Sequence, residues 1–195
     1  MTTRLIEQFM PTADIRKRHE IIVHAPADVV LQTAEQFDLL SIPLVNAIFW
    51  LRGKIMGAHA APPRKPEGLV QETKRLGWVE LGRRPGREVV MGAATQPWLA
   101  DVTFTPVAPG SFVAYAEPEH VKIVWTLEAV PVEPELTLFR TETRVVATDA
   151  VAREQFARYW RFARFGILLI RWLQLPALRR AAERAHRPTL AGAAA

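Results

Sequence analysis

The sequence contains no cysteine. That excludes disulfides, thiolate metal sites and cysteine nucleophiles; it also fits a reducing compartment, so the cytoplasm is the expected location. Serine is almost as scarce. Ser41 and Ser111 are the only two, and neither has the context of a nucleophile. The opening residues, MTTRLIEQFM, lack the basic start and apolar run of a signal peptide. The longest apolar stretch, residues 162–175, is too short to span a bilayer and carries Arg164 and Arg171, so it reads as a buried or half-buried helix. The five histidines, His19, His24, His59, His120 and His186, show no H-x-x-x-H or H-E-x-x-H spacing, and no metal site is expected. There is no phosphate-binding glycine loop and no dinucleotide fingerprint, so no cofactor is expected.

What is present is apolar bulk. The 195 residues fit one domain with short extensions, and 49% are hydrophobic, enough for a sizeable core. Six Trp and nine Phe supply large buried area and are also the residues that line ligand pockets. The net charge of +5 is compatible with nucleic acid, a membrane surface or an acidic partner, and equally with none of them.

Residues 15–24 read as a first strand, with β-branched Ile21 to Val23 at its end. Pro26 opens a short helix over 26–37, with Asp28 complementing its dipole. A second short helix spans about 41–51, and residues 53–68, which hold three prolines, read as a long loop able to act as a lid. Strands follow at about 76–82, 87–91, 98–105, 112–116, 121–130 and 136–148, punctuated by Arg83-Arg-Pro-Gly86 and Pro109-Gly110 turns. Thr148 or Asp149 caps a long helix over 150–175, which Pro176 ends or kinks. A short helix over 176–185 continues it, and 190–195 should fray. On the long helix Phe156, Tyr159, Trp160, Phe162, Ala163, Ile167, Ile170 and Leu173 share one face, while Arg153, Arg161, Arg164, Arg171 and Arg179 collect opposite. The expected organisation is a short extension at 1–13, a domain at 14–175, and a terminal helix and tail at 176–195.

This order resembles the helix-grip superfamily of START lipid-transfer domains, birch-pollen-type allergens and bacterial polyketide cyclases and dehydrases. Glu20-Ile-Ile-Val-His-Ala-Pro-Ala-Asp-Val-Val30 is similar to that family's first strand, Ala-Pro turn and first helix. Ala116-Glu-Pro118, residues 122–128, Thr141-Glu-Thr-Arg144, Ala147-Thr-Asp149 and the aromatic set Phe156, Tyr159 and Trp160 are similar to one bacterial cyclase/dehydrase-like subgroup. The resemblance covers about residues 14–175. It implies an α+β fold in which a curved antiparallel sheet of six or seven strands wraps a long C-terminal helix, with two short helices after the first strand. It implies no catalytic residue, since that superfamily hosts transport, sensing and catalysis alike.

Alternation assigns the strand faces. Val121, Ile123, Trp125, Leu127 and Ala129 point inward, as do Phe139, Thr141, Thr143 and Val145. Arg140, Glu142 and Arg144 take the outer face, because burying three charges costs more than burying two hydroxyls. Trp98, Val102 and Phe104 form a further inward set. For the first hairpin strand two readings stay open: Val79 and Leu81 inward, or Trp78 inward with Glu80 following it and its pKa raised. The expected cavity is lined by Trp78, Met91, Trp98, Phe104, Ile123, Trp125, Thr141, Thr143, Tyr159, Ala163, Gly166 and Ile170. Gly166 either leaves room for a ligand or permits close packing. Glu80, His120 and Tyr159 are the candidates for moving protons, and Glu117 with His120 could pair at the cavity mouth.

The leading functional expectation is a binding or carrier protein for a small hydrophobic molecule such as a lipid, quinone or polyketide. The second is a cyclase, aromatase or dehydrase that uses the same cavity. The third is a non-catalytic interaction protein. Nucleic acid is not expected as a partner, because the helix aromatics lie opposite its arginines. An anionic membrane surface could be touched through the arginine stripe. The sequence leaves the oligomeric state open.

Overall fold

The computed structural model describes residues 4–57 and 67–193. The chain runs α1 (Leu5–Phe9), β1 (Ile15–Val23), α2 (Ala27–Gln36), a 3-10 turn (Leu39–Ser41), α3 (Pro43–Met56), α4 (Leu69–Arg75), β2 (Val79–Arg84), β3 (Glu88–Thr95), β4 (Phe104–Thr105), α5 (Pro109–Phe112), β5 (Val121–Glu133), β6 (Leu136–Ala147) and α6 (Ala150–Ala193). The six strands form one antiparallel sheet in the order β1-β6-β5-β3-β2, with β4 added on β3. With α6 closing the chain across one face, this is the expected α+β helix-grip arrangement.

Most strand expectations hold, and the departures have physical reasons. The segment at 98–105 supplies only β4, and 112–116 is no strand: Pro109 starts the single-turn α5 there, and Phe112 is fully buried beneath it. α4 follows Gly68, over residues between the expected loop and the expected first hairpin strand. The lid expected at 53–68 falls partly on α3, and its residues 58–66, with His59, lie outside the described residues, as do Ala194 and Ala195 of the tail.

The helix does not stop at Pro176. A proline in a helix interior costs about 3 kcal/mol. Fully burying a leucine contributes about 1.5–3 kcal/mol, and Leu175 and Leu178 are both buried against α2 and the sheet. Burial on either side of the proline therefore outweighs the lost hydrogen bond. The start of α6 is fixed by Asp149, whose Oδ1 accepts the Ala152 amide at 2.7 Å. Its far half is tied down by Glu183, which accepts the His24 amide at 3.2 Å, and by His186, 2.7 Å from Glu135 of the β5–β6 hairpin.

Both faces of the sheet are covered. On the inner face, α2, α4 and α6 pack on Val89, Met91, Trp125, Leu127 and Phe139. Further along that face, Val121, Val145, Ala152 and Phe156 form a separate cluster. On the outer face, Ile6 and Met10 of the N-terminal segment join Leu81, Val90, Phe112 and Val124. Arg140, Glu142 and Arg144 do take the outer face, but that face is not solvated: Glu142 is 0% and Arg144 1% exposed. Arg144 donates to Glu142 at 2.7 Å, to both oxygens of Glu7 and to the Met10 carbonyl. Arg4 donates to Glu142 at 2.6 Å and Glu128 at 3.1 Å, and Arg140 to Glu20 at 2.6 Å. Burial pushes the Glu142 carboxyl up, but Arg4 and Arg144 outweigh it and hold it at about 2. The N-terminal segment is thus a structural layer, and the charged triplet is its anchor.

Candidate functional site

Strand register aligns the inner-face side chains in rows. Met91 pairs with Trp125, Trp125 with Thr143, and Thr143 with Lys17; the next row runs Val89, Leu127, Thr141, His19. Beside Trp125 on this inner face lies a cavity of about 170 Å³. Trp125 forms its floor, Ile167 and Ile170 of α6 its wall, and Leu39 and Leu69 its far side; Thr73, Arg171 and Gln174 contribute its polar atoms. A larger concavity of about 550 Å³ sits outside the protein core, where the turns around Pro26, Gly86 and Pro134 meet. It is open to solvent, and Asp28, Arg87 and Glu133 are among its lining residues.

Arg171 corrects the sequence reading. It was expected on the solvent side of the last helix, but it faces the sheet. Its Nη1 donates to Thr141 Oγ1 at 3.2 Å and to Gln174 Oε1 at 3.4 Å, and its Nη2 to Thr143 Oγ1 at 3.1 Å. All three of these acceptors are neutral. Burial pulls its guanidinium down to about 10. Burial first, then Arg171 and Lys17, also lower the pKa of His19.

Trp125 and Ile170 line the cavity, and Thr141 and Thr143 hold the arginine at its edge. Trp78 lies beside it, 5.1 Å from the Phe104 ring and 6.3 Å from the Trp125 ring. Met91 is fully buried in the core next to Trp125. Trp98, Ile123 and Tyr159 belong to the other cluster, around Phe156 and Trp160. Ala163 is half-buried on α6. Gly166 faces α3: a Cβ there would sit 3.5 Å from Ile48. That favours helix packing over ligand room.

The three proton-transfer candidates do not line the cavity. Trp78 and Glu80 do share the inner side, since Glu80 pairs with Met91 in register. Its carboxylate, however, takes Arg83 at 2.7 Å and Lys74 at 2.9 Å. The Arg83 hydrogen bond, against burial and with help from Lys74, lowers it to about 2. The raised pKa expected for an inward Glu80 is therefore absent, because α4 and β2 bring two cations to it. His120 lies in the turn before β5 with Nδ1 2.8 Å from the Pro118 carbonyl. It does not pair with Glu117, which accepts the Tyr115 hydroxyl at 2.8 Å. Tyr159 stacks near Phe156, with ring centres 6.1 Å apart.

Phe162 departs further: expected inward, it is 80% exposed. Phe165, Leu168, Leu169 and Trp172 continue an apolar stripe along the outside of α6, and Leu44, Trp50 and Leu51 of α3 are exposed as well. Cations stand over two of these rings, Lys54 over Trp50 at 5.1 Å and Arg164 over Phe165 at 4.7 Å. Among the described residues no group of acids and histidines could hold a metal, and no helix is long and apolar enough to cross a membrane.

No protein-family model matches the chain, and no curated protein matches it. Two solved structures do. One is the Zhui aromatase/cyclase from Streptomyces sp. R1128, at 13% identity over 87% of this chain and 94% of that one, with a TM-score of 0.28. The other is norcoclaurine synthase from Thalictrum flavum in complex with dopamine and hydroxybenzaldehyde, at 15% identity over 95% of this chain and 93% of that one, with a TM-score of 0.33. Superpositions this loose transfer neither a residue nor an activity.

Proposed function

We propose that this protein binds a small hydrophobic molecule between its sheet and α6. The carrying observation is the cavity on the inner face of the sheet, floored by Trp125 and walled by Ile167 and Ile170. The pocket has an aromatic floor and a few polar groups, the usual make-up of a ligand site. At about 170 Å³ it takes a short chain or a single ring rather than a large polyketide. The cyclase, aromatase or dehydrase alternative places proton transfer on Glu80, His120 or Tyr159. None of them lines the cavity, so binding is the better-supported reading. Kinship with the cyclase/dehydrase-like subgroup rests on the motifs quoted above, and the cytoplasmic location on the lack of cysteine; both are part of this proposal.

Native mass spectrometry of gently purified protein, followed by organic extraction, tests it. A discrete apolar adduct is expected. A clean apo mass together with no uptake of added short-chain amphiphiles would sink the proposal.

A second reading is contact with an anionic membrane surface. Its support is the exposed stripe from Phe162 to Trp172, the latter 72% exposed, joined to Trp50 and flanked by Arg158, Arg161, Arg164 and Lys54. Aromatics between cations suit a headgroup interface. Co-sedimentation with phosphatidylglycerol vesicles, weak with phosphatidylcholine and lost in Phe165→Glu/Trp172→Glu, is the expected result. Equal behaviour with both lipids would remove this reading.

A further inference from the structure

Four carboxylates of the sheet, Glu20, Glu88, Glu128 and Glu142, take the outer side, where Arg4, Arg16, Arg140 and Arg144 meet Glu20, Glu128 and Glu142; Glu80 of β2 takes the inner side and is paired there with Arg83 and Lys74. The inner side of β1 and β6 carries Lys17, His19 and, from α6, Arg171. All twenty Asp and Glu of the chain lie within the described residues, and none of them pairs with Arg171 among the ion pairs there. Arg171 is half-buried, and a partly desolvated cation without a counter-ion carries a cost that proteins normally offset by supplying one.

The geometry also leaves room for a partner. The two threonines and Gln174 use both hydrogens of Nη1 and one of Nη2. Nε–H and the second Nη2 hydrogen, which together form one edge of the guanidinium, have no acceptor among the described residues. Two parallel donors on one edge match the two oxygens of a carboxylate. Apolar Ile167 and Ile170 adjoin on the preceding turn of α6, and Trp125 lies opposite.

We infer that Arg171, held by Thr141, Thr143 and Gln174, is the recognition group for the carboxylate of an apolar monocarboxylic acid whose hydrocarbon part lies against Trp125, Ile167 and Ile170. This rests on the binding reading above and names its ligand class. A single guanidinium suits a monoanion. A phosphate dianion would call for a second cation in the cavity, and the nearest in register, Lys17, is exposed on the edge strand.

Isothermal titration of the full chain with octanoate and with octan-1-ol, at a pH where the acid is fully ionised, tests the inference. The wild type should bind octanoate at least about tenfold more tightly than the alcohol. Arg171→Met should abolish that preference and leave the alcohol's affinity within about twofold. Should that variant fail to fold, Thr143→Val, which loosens the arginine without removing charge, should reduce the preference. Equal affinity of acid and alcohol for the wild type overturns the carboxylate assignment and leaves the binding proposal standing. Failure of both to bind overturns the two together.

Discussion

Two arginines on opposite faces of β6 should respond with opposite sign to the same substitution. Arg144→Met removes a guanidinium that is 1% exposed and donates to Glu142, Glu7 and the Met10 carbonyl. The carboxylate of Glu142, itself 0% exposed, keeps Arg4 and Arg16, each at 2.6 Å, but loses Arg144, its neighbour on β6 at 2.7 Å. Breaking a buried pair from one side costs about 3–5 kcal/mol. For a chain of this size that is a fall in Tm on the order of 10 °C. Arg171→Met removes a half-buried guanidinium with only neutral acceptors. Relief of its desolvation offsets three hydrogen bonds worth about 1 kcal/mol each, so its stability should stay within about 1 kcal/mol of wild type or rise. Urea unfolding at neutral pH, followed by circular dichroism, measures both. Comparable losses in the two variants would refute the claim that Arg171 lacks a counter-ion within the fold.

Acid should unfold the outer layer first. Glu142, held at about 2, and Glu7, lowered chiefly by its hydrogen bond to Arg144, both have folded pKa values below their unfolded ones. Their stabilisation is therefore complete above the ordinary carboxylate pKa and lost as pH falls from about 4.5 toward 2. Glu142→Gln should flatten that limb of a stability–pH curve. Glu88 has the opposite sign: burial raises its pKa, and its Oε1 has no partner. Its contribution falls as pH rises through its folded pKa, so Glu88→Gln should be neutral or stabilising at pH 7 in the same urea assay. Gly77→Ala should cost at least about 2 kcal/mol, since Gly77 has φ +103° and a Cβ would overlap the Phe104 carbonyl oxygen; unaltered stability would show that β4 moves freely. Gly166→Ala, facing only Ile48, should instead raise Tm by the helix-propensity gain of up to about 1 kcal/mol.

Strand alternation made the sheet legible. The inward placing of Trp125, Thr141 and Thr143 follows from a period of two and from the cost of burying the charges between them, and both arguments are local. What is not local was missed. The burial of Glu142 and Arg144 depends on Ile6, Glu7 and Met10 folding back over the outer face, a contact more than 130 residues away in sequence. α4 has seven residues, too few for a helical period to stand out, yet it brings Leu69 and Thr73 to the cavity and Lys74 to Glu80.

Arg171 was misplaced for a different reason, which bears on how long helices are read. Arg153 and Arg171 are eighteen residues apart, about five turns, and so share one side of an ideal helix. Arg153 is nevertheless exposed while Arg171 faces the sheet. The buried side of α6 therefore shifts along its length: it begins with Ala152 and Phe156 and ends with Gln174, Leu175, Leu178 and Ala182. A single wheel averaged over residues 150–175 cannot represent that shift. It leaves Phe162 on the inside and Arg171 on the outside, and both are the reverse of what the helix does. The buried run at 174, 175, 178 and 182 carries the missing signal, and it was hidden by treating Pro176 as the helix end. Extending that run one turn backward reaches 171 and 170, which places the arginine beside Ile170 and Trp125, at the cavity on the inner face.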